Sequence, residues 1–352
     1  MIIKKLKKEV LSLFFLQKRG VTTFKKPKGG YLAINKASDL TSRTFLFADF
    51  SAKDVSNRDF SNSDITNGKF ISANLSKTIF SETIMTNANL SSSDCSHAKF
   101  NKSITYGIKL MRANLSNAWF YKTELEDVVF EGTILKNTDF RGVQLSRSDF
   151  TKAVLHKMIG SYSFLNHCNF EGIRASKITM VMAQLNGAIF KKVRIKNSNF
   201  SGSRMMGSQC QEAVFDSTNL TNVCAQGSDF SCAKIIKCEL VRTDFTNCNM
   251  REVDFRGSVL DGAIFTGANL TAADFNGVDV SNISFSKEQI RSAFGIGESL
   301  HPSGYIGENP ITSEKLGGCI VLKKLSGLVN PATRTVRLSN HNIQLTLTCN
   351  GL

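Results

Sequence analysis

Histidines, cysteines and paired carboxylates are the residues that would carry catalysis or hold a metal, and their spacing in this chain argues against both. Of the five His in 352 residues, His97, His156 and His167 are dispersed, and no carboxylate stands at the spacing of a general acid–base pair. The nine Cys form no CxxC or zinc-like pattern. No HExxH, GxSxG, phosphate loop or Gly-rich dinucleotide motif occurs. The many Asp and Asn recur one residue before a large apolar residue, as in Ala48-Asp49-Phe50 and Ala73-Asn74-Leu75. In that setting they read as solvated or turn-bonding groups. We therefore expect no catalytic residue, no metal ligand and no cofactor, and a protein that is not an enzyme.

The element that must position these residues is a repeat. Every fifth residue from Phe50 to Phe285 gives 48 positions, of which 19 are Phe and 14 are Leu. Only Thr105 and Gly160 break the apolar pattern seriously. Two residues before each of these centres, 41 of 48 positions are Ala, Ser, Thr, Val, Cys or Gly. A period of five suits neither a helix nor a strand and describes a unit repeated by stacking. One large and one small residue per five point inward, and the other three face water. Lys53 and Arg58 occupy small sites, so the first coil is imperfect. Met158, in a small site, is placed to fill the space that Gly160 leaves. Cys95, Cys168, Cys210, Cys238 and Cys248 fall on inward positions and read as small core residues of a reducing compartment. Cys224 and Cys232 face outward, where a thiol is open to reaction.

These A(D/N)LXX-like units, seen at Ala48-Asp49-Phe50, Ala88-Asn89-Leu90 and Ala273-Asp274-Phe275, resemble the pentapeptide repeat family over about two thirds of the chain. The resemblance implies an all-β solenoid, a right-handed quadrilateral β-helix with four pentapeptides per turn. Leu and Phe centres alternate between 115 and 165, a period of ten that suits four sides and not three. Phe60, Phe80, Phe100, Phe120 and Phe140 then stack in one column, and Leu125, Leu145, Leu165 and Leu185 in another. About 12 coils with short helical caps follow, ~58 Å long at ~4.8 Å per coil.

The parts divide as a basic amphipathic N-terminal segment and linker at 1–44, the β-helix at 45–285, a C-terminal capping helix at 286–300 and an irregular tail with short strand-like runs at 301–352. Residues 2–16 carry apolar residues at helical spacing among lysines. They fit a helix capping the first coil or, alternatively, peripheral contact with anionic lipid through residues 1–19. Ser286 with Gln289 forms a capping box, and Ile290, Ala293 and Phe294 continue an apolar face. In the tail, Cys319–Leu322 and Ile343–Leu347 read as strands.

Charge completes the reading. The chain carries a net +15, yet residues 45–285 hold 26 basic and 23 acidic residues. Sorted by side, Lys136, Lys157, Arg174, Lys177, Arg194, Lys196, Lys234, Lys237 and Arg256 share one face, and Lys152, Lys191 and Lys192 adjoin it. Asp216, Asp254 and Asp274 are the opposing acids. Tyr106, Trp119, Tyr121, Tyr162 and Phe164 face outward near the two irregular places. The resulting expectation is a non-enzymatic protein-binding or scaffold rod whose partner the sequence does not name; the basic strip reads either as an ordinary solvated face of a basic protein or as a docking strip for an acidic protein, with nucleic acid not expected. The resemblance also implies two other uses: a secreted bacterial effector acting at host membranes or proteins, and mimicry of B-DNA against topoisomerase. Mimicry requires a dense negative surface, which a nearly neutral repeat region lacks. The location implied is a bacterial cytoplasm, with secretion into a host cell or peripheral membrane attachment as alternatives.

Overall fold

The structure is a computed structural model, and it describes residues 39–296 together with three short strands between 329 and 346. Each pentapeptide makes one side and one corner. At the first, the Ala48 N–H donates to the Phe45 carbonyl at 3.1 Å. Phe47, inside that turn, has φ 55°. A positive φ at the second turn residue is the type II arrangement. The same left-handed position recurs two residues after almost every centre. Asn57, Asn67, Asn87 and Asn117 hold it with φ between 55° and 60°, and Asn tolerates this region better than most residues.

Where an Asp or Asn precedes a centre, it closes the next corner. Asp49 Oδ1 accepts from the Ser51 N–H at 2.9 Å, and Asn74 Oδ1 from the Ser76 N–H at 3.1 Å. Asp and Asn alternate freely here because either supplies the same oxygen.

Stacking repeats every twenty residues. Strands β1 (Ile134–Lys136), β2 (Val154–His156), β3 (Arg174–Ser176), β4 (Arg194–Lys196), β5 (Val214–Asp216) and β6 (Lys234–Ile236) form one parallel sheet in chain order. Isolated parallel bridges carry the same step from Asp39–Asp59 to Asp274–Phe294. A twenty-residue step made of five-residue units is a four-sided parallel β-helix. Regular strands span five steps on one side only; elsewhere single bridges hold the coils, so the dozen coils expected from counting pentapeptides are not uniformly strand-bearing.

The core is a set of aromatic and aliphatic columns. Phe60, Phe80, Phe100, Phe120 and Phe140 are fully buried, with successive ring centroids 5.4, 5.2, 4.6 and 4.9 Å apart and planes within 24°. Phe130, Phe150, Phe170 and Phe190 form a second column. Leu125, Leu145, Leu165 and Leu185 are likewise buried.

The small sites are polar for a reason. Thr83 Oγ1 donates to the Phe60 carbonyl, Thr123 Oγ1 to Phe100 and Ser148 Oγ to Leu125, each reaching one coil back. A buried hydroxyl without such an acceptor would be costly. Where a centre shrinks, a neighbouring small site grows: Thr105 beside Ile108, Gly160 beside Met158, Ala175 between Ile173 and Ile178, all buried. A Cβ on Gly160 would meet Met180 Sδ at 3.4 Å and Met158 Cε at 3.7 Å, so the methionines occupy the space left by the absent side chain. Lys53 stays exposed and Arg58 half-buried, as the imperfect first coil requires.

Helix α1 (Lys287–Ser292) covers the last coil. Its capping box is present: Ser286 Oγ accepts from the Gln289 N–H, and Gln289 Oε1 accepts from the Ser286 N–H. The residue that docks, however, is Gln289 and not Ile290. Gln289 is buried and its Nε2 donates to the Phe265 and Ala268 carbonyls at 2.7 and 2.9 Å, whereas Ile290 is exposed. The end of a β-helix presents carbonyls without a following coil, and a donor satisfies them where an aliphatic chain would not. Phe294 then adds a final bridge to Asp274.

The helix expected at 2–16, the linker up to 38 and the run Cys319–Leu322 lie outside the described residues. In the second compact unit, His301–Leu352, strands β7 (Val329–Asn330), β8 (Thr335–Arg337) and β9 (Gln344–Thr346) form an antiparallel sheet in that order.

Candidate docking surface

The basic face predicted from the sequence coincides with the strand-bearing side. In β3 and β4, Arg174 pairs in register with Arg194, and Ser176 with Lys196. Both arginines are exposed. Lys157 and Lys177 hold equivalent corner positions one coil apart, at φ 54° and 56°. Between Lys177 and Lys237 the corner positions are short, Asn197 and Ser217. These four line a shallow polar depression of about 520 Å³ with Ser198, Thr218 and Glu239.

Four of the twelve predicted cations are already engaged. Lys196 pairs with Asp216 at 3.3 Å and Arg256 with Asp254 at 2.7 Å. On the adjoining side, Lys152 pairs with Glu131 at 2.6 Å and Lys192 with Glu212 at 3.8 Å. Asp216 lies below its ordinary carboxylate range, first because the Ser217 hydroxyl bonds it and then through Lys196. Among the described residues no ion pair involves Lys136, Lys157, Arg174, Lys177, Lys191, Arg194, Lys234 or Lys237. The unbalanced charge therefore centres on Arg174 and Arg194. Like charges one strand apart are destabilising, so this pair is a surface feature that the fold itself does not need.

Other chemistry is quiet. His156 Nδ1 sits 2.8 Å from Ser176 Oγ, and His97 Nε2 3.4 Å from Asn117 Nδ2. His167 lies over Gly187, where any Cβ would come within 2.4 Å of Nδ1. Burial pushes the Cys95, Cys168, Cys238 and Cys248 thiols up to about 12. Outward Cys232 is also raised, by partial desolvation and then by Glu252, so its exposure does not make it a ready nucleophile. Tyr106, Trp119, Tyr121 and Tyr162 are exposed, and Lys122 Nζ stands 5.3 Å from the Tyr121 ring. Among the described residues, no group of three His, Cys, Asp or Glu is placed to hold a metal ion, and no helix is long and apolar enough to cross a membrane.

The model of the family described as pentapeptide repeats matches eight copies, over residues 69–104, 108–147, 138–174, 194–231, 208–247, 238–277 and 248–286, more than half of the chain. The chain belongs to the pentapeptide repeat family. Among the curated proteins nothing matches this pentapeptide repeat chain. Several solved structures are similar to it. Rfr23, a pentapeptide repeat protein from the cyanobacterium Cyanothece 51142, is 16% identical over 34% of this chain and 92% of that one, with a TM-score of 0.32. HetL, involved in heterocyst differentiation regulation in Nostoc sp. strain PCC 7120, is 18% identical over 64% and 90%, at 0.21. QnrB1, a plasmid-mediated fluoroquinolone resistance protein, is 15% identical over 66% and 92%, at 0.30.

What sequence reasoning missed is the pairing. Lys196–Asp216 and Lys192–Glu212 each join residues twenty apart. Adding twenty yields candidate partners, and side-chain reach decides which of them close.

Proposed function

We propose that the pentapeptide repeat solenoid is a non-enzymatic docking scaffold whose strand-bearing side receives an acidic protein surface. The observation that carries this reading is the in-register Arg174–Arg194 pair, which has no acidic partner among the described residues and is flanked by Lys157 and Lys177. Coils spaced at strand distance let these charges act together instead of averaging with distant acids. Lys196 and Arg256, which sequence sorting places on the same strip, contribute less because Asp216 and Asp254 neutralise them.

The test is capture of partners by the full-length protein from a lysate of its source, compared with the Arg174→Glu/Lys177→Glu/Arg194→Glu variant. Partners held through the strip are acidic proteins that the variant loses and that moderate salt releases. Partners retained equally by the variant would remove this side from the function.

A further inference from the structure

On the same docking side, and resting on that reading, we infer that the occupant is an amphipathic α-helix lying along the solenoid axis, with two acidic residues between two apolar ones at i, i+3, i+7 and i+10. The evidence is the order of residues in one outward column. Successive coils present Val154, Arg174, Arg194 and Val214: Arg174, Arg194 and Val214 are paired in register, and Val154 precedes Leu155, which pairs with Ala175. Val154 is 44% exposed and Val214 half-buried, so both offer apolar surface beside the arginines. Read along the axis, these four are apolar, positive, positive, apolar, and the sheet continues them with Ile134 before Val154 and Lys234 after Val214. The complementary partner is apolar, acidic, acidic, apolar.

Spacing selects the partner's conformation. Ring centroids in neighbouring coils lie 4.6 to 5.4 Å apart, which measures the step from one coil to the next. Four coils place their residues at heights of about 0, 4.8, 9.6 and 14.4 Å. A helix rises about 1.5 Å per residue, so positions i, i+3, i+7 and i+10 fall at about 0, 4.5, 10.5 and 15 Å and share one face. The mismatch stays under about 1 Å, within reach of arginine side chains. An extended strand repeats its same-face side chains at about 6.7 Å and meets the first coil but misses the second. The pattern is symmetric, so either helix direction satisfies it. The neighbouring corner adds Lys157 and Lys177 on one flank. The depression at Asn197 and Ser217 leaves room beside the helix for a larger side chain.

The experiment uses three labelled synthetic peptides of identical composition and the full-length protein, read by fluorescence anisotropy at low and physiological ionic strength. One carries the stated pattern on a helix-forming background. The second shuffles the acids around the helix, and the third moves a proline from the end of the peptide to its centre. The patterned peptide should bind about tenfold tighter or more than either control, a difference of ~1.4 kcal/mol. Arg174→Glu/Arg194→Glu should abolish that preference, and Val154→Ser/Val214→Ser should reduce it several-fold with an unchanged melting curve. Equal binding of all three peptides, still lost on arginine reversal, would overturn the helix while leaving the acidic docking side intact. Binding that ignores the arginine reversal would overturn both. A DNA duplex that displaces the patterned peptide at lower charge concentration would overturn the helix in favour of nucleic acid.

Discussion

Replacing Phe120 by Ala removes one ring from the middle of a continuous column. Phe120 is fully buried, 4.6 Å from Phe100 with planes 3° apart and 4.9 Å from Phe140. A Phe to Ala change in a core costs about 3–5 kcal/mol. The loss should reach the upper part of that range, because coils pinned by backbone bonds above and below cannot collapse into the space, and because two offset ring contacts are each worth roughly 0.5–1.5 kcal/mol. The Phe120 N–H to Asp139 carbonyl bond, 2.9 Å, is one of those pins. The chain's single tryptophan, Trp119, is the adjacent residue and half-exposed, so its fluorescence in urea reports this coil directly. In a solenoid each unit depends on its neighbours, so loss at one coil weakens those beside it. The melting temperature should fall by on the order of 10 °C. Two surface comparators should both fall below it. Lys109→Ala, exposed, should change stability by under about 0.5 kcal/mol. Asn117→Ala should cost about 1 kcal/mol, because Asn117 has φ 60° and accepts from Asn137 Nδ2 at 3.0 Å. Equal denaturation midpoints for Phe120→Ala and Lys109→Ala would refute the assignment of inward and outward positions.

Two further outcomes are expected. Gln289→Leu keeps the bulk of the end residue but leaves the Phe265 and Ala268 carbonyls without its amide, so it should cost about 1–3 kcal/mol and raise hydrogen exchange at Phe275 and Phe294; unchanged exchange there would show that α1 does not seal the coil. Asp49 and Asp54 lie below the ordinary carboxylate range, chiefly because the Ser51 and Ser56 side chains bond them, and Asp39 chiefly because of the Thr41 amide. Their folded values lie below the unfolded ones, so the stability they contribute is present above about pH 4 and is lost as pH falls through the folded values. Replacing all three by Asn keeps the turn acceptor and removes the titration, so the variant's melting temperature should vary less between about pH 4 and pH 2 than the parent's; identical pH profiles would refute the turn role.

The coil is legible in the fivefold register alone. A register that holds from Phe50 to Phe285 identifies which residues point inward, and the ten-residue alternation of Phe and Leu sets four sides. Phe60 and Phe80 stack because a four-sided coil of five-residue units returns after twenty residues. The same pattern located the basic side, since adding twenty moves one coil along it. Tertiary structure alone decided what that side does with its charge. Asp216 neutralises Lys196 while Arg174 faces Arg194, and whether a neighbour neutralises or repels depends on side-chain reach across coils, which a list of positions does not contain. The structure also turned Gln289 inward and Ile290 outward, because the last coil exposes carbonyls that need a donor. Asn117 makes the same point in one residue. Periodicity marks it as ordinary surface, and only the backbone reveals the left-handed corner that gives its side chain a structural value.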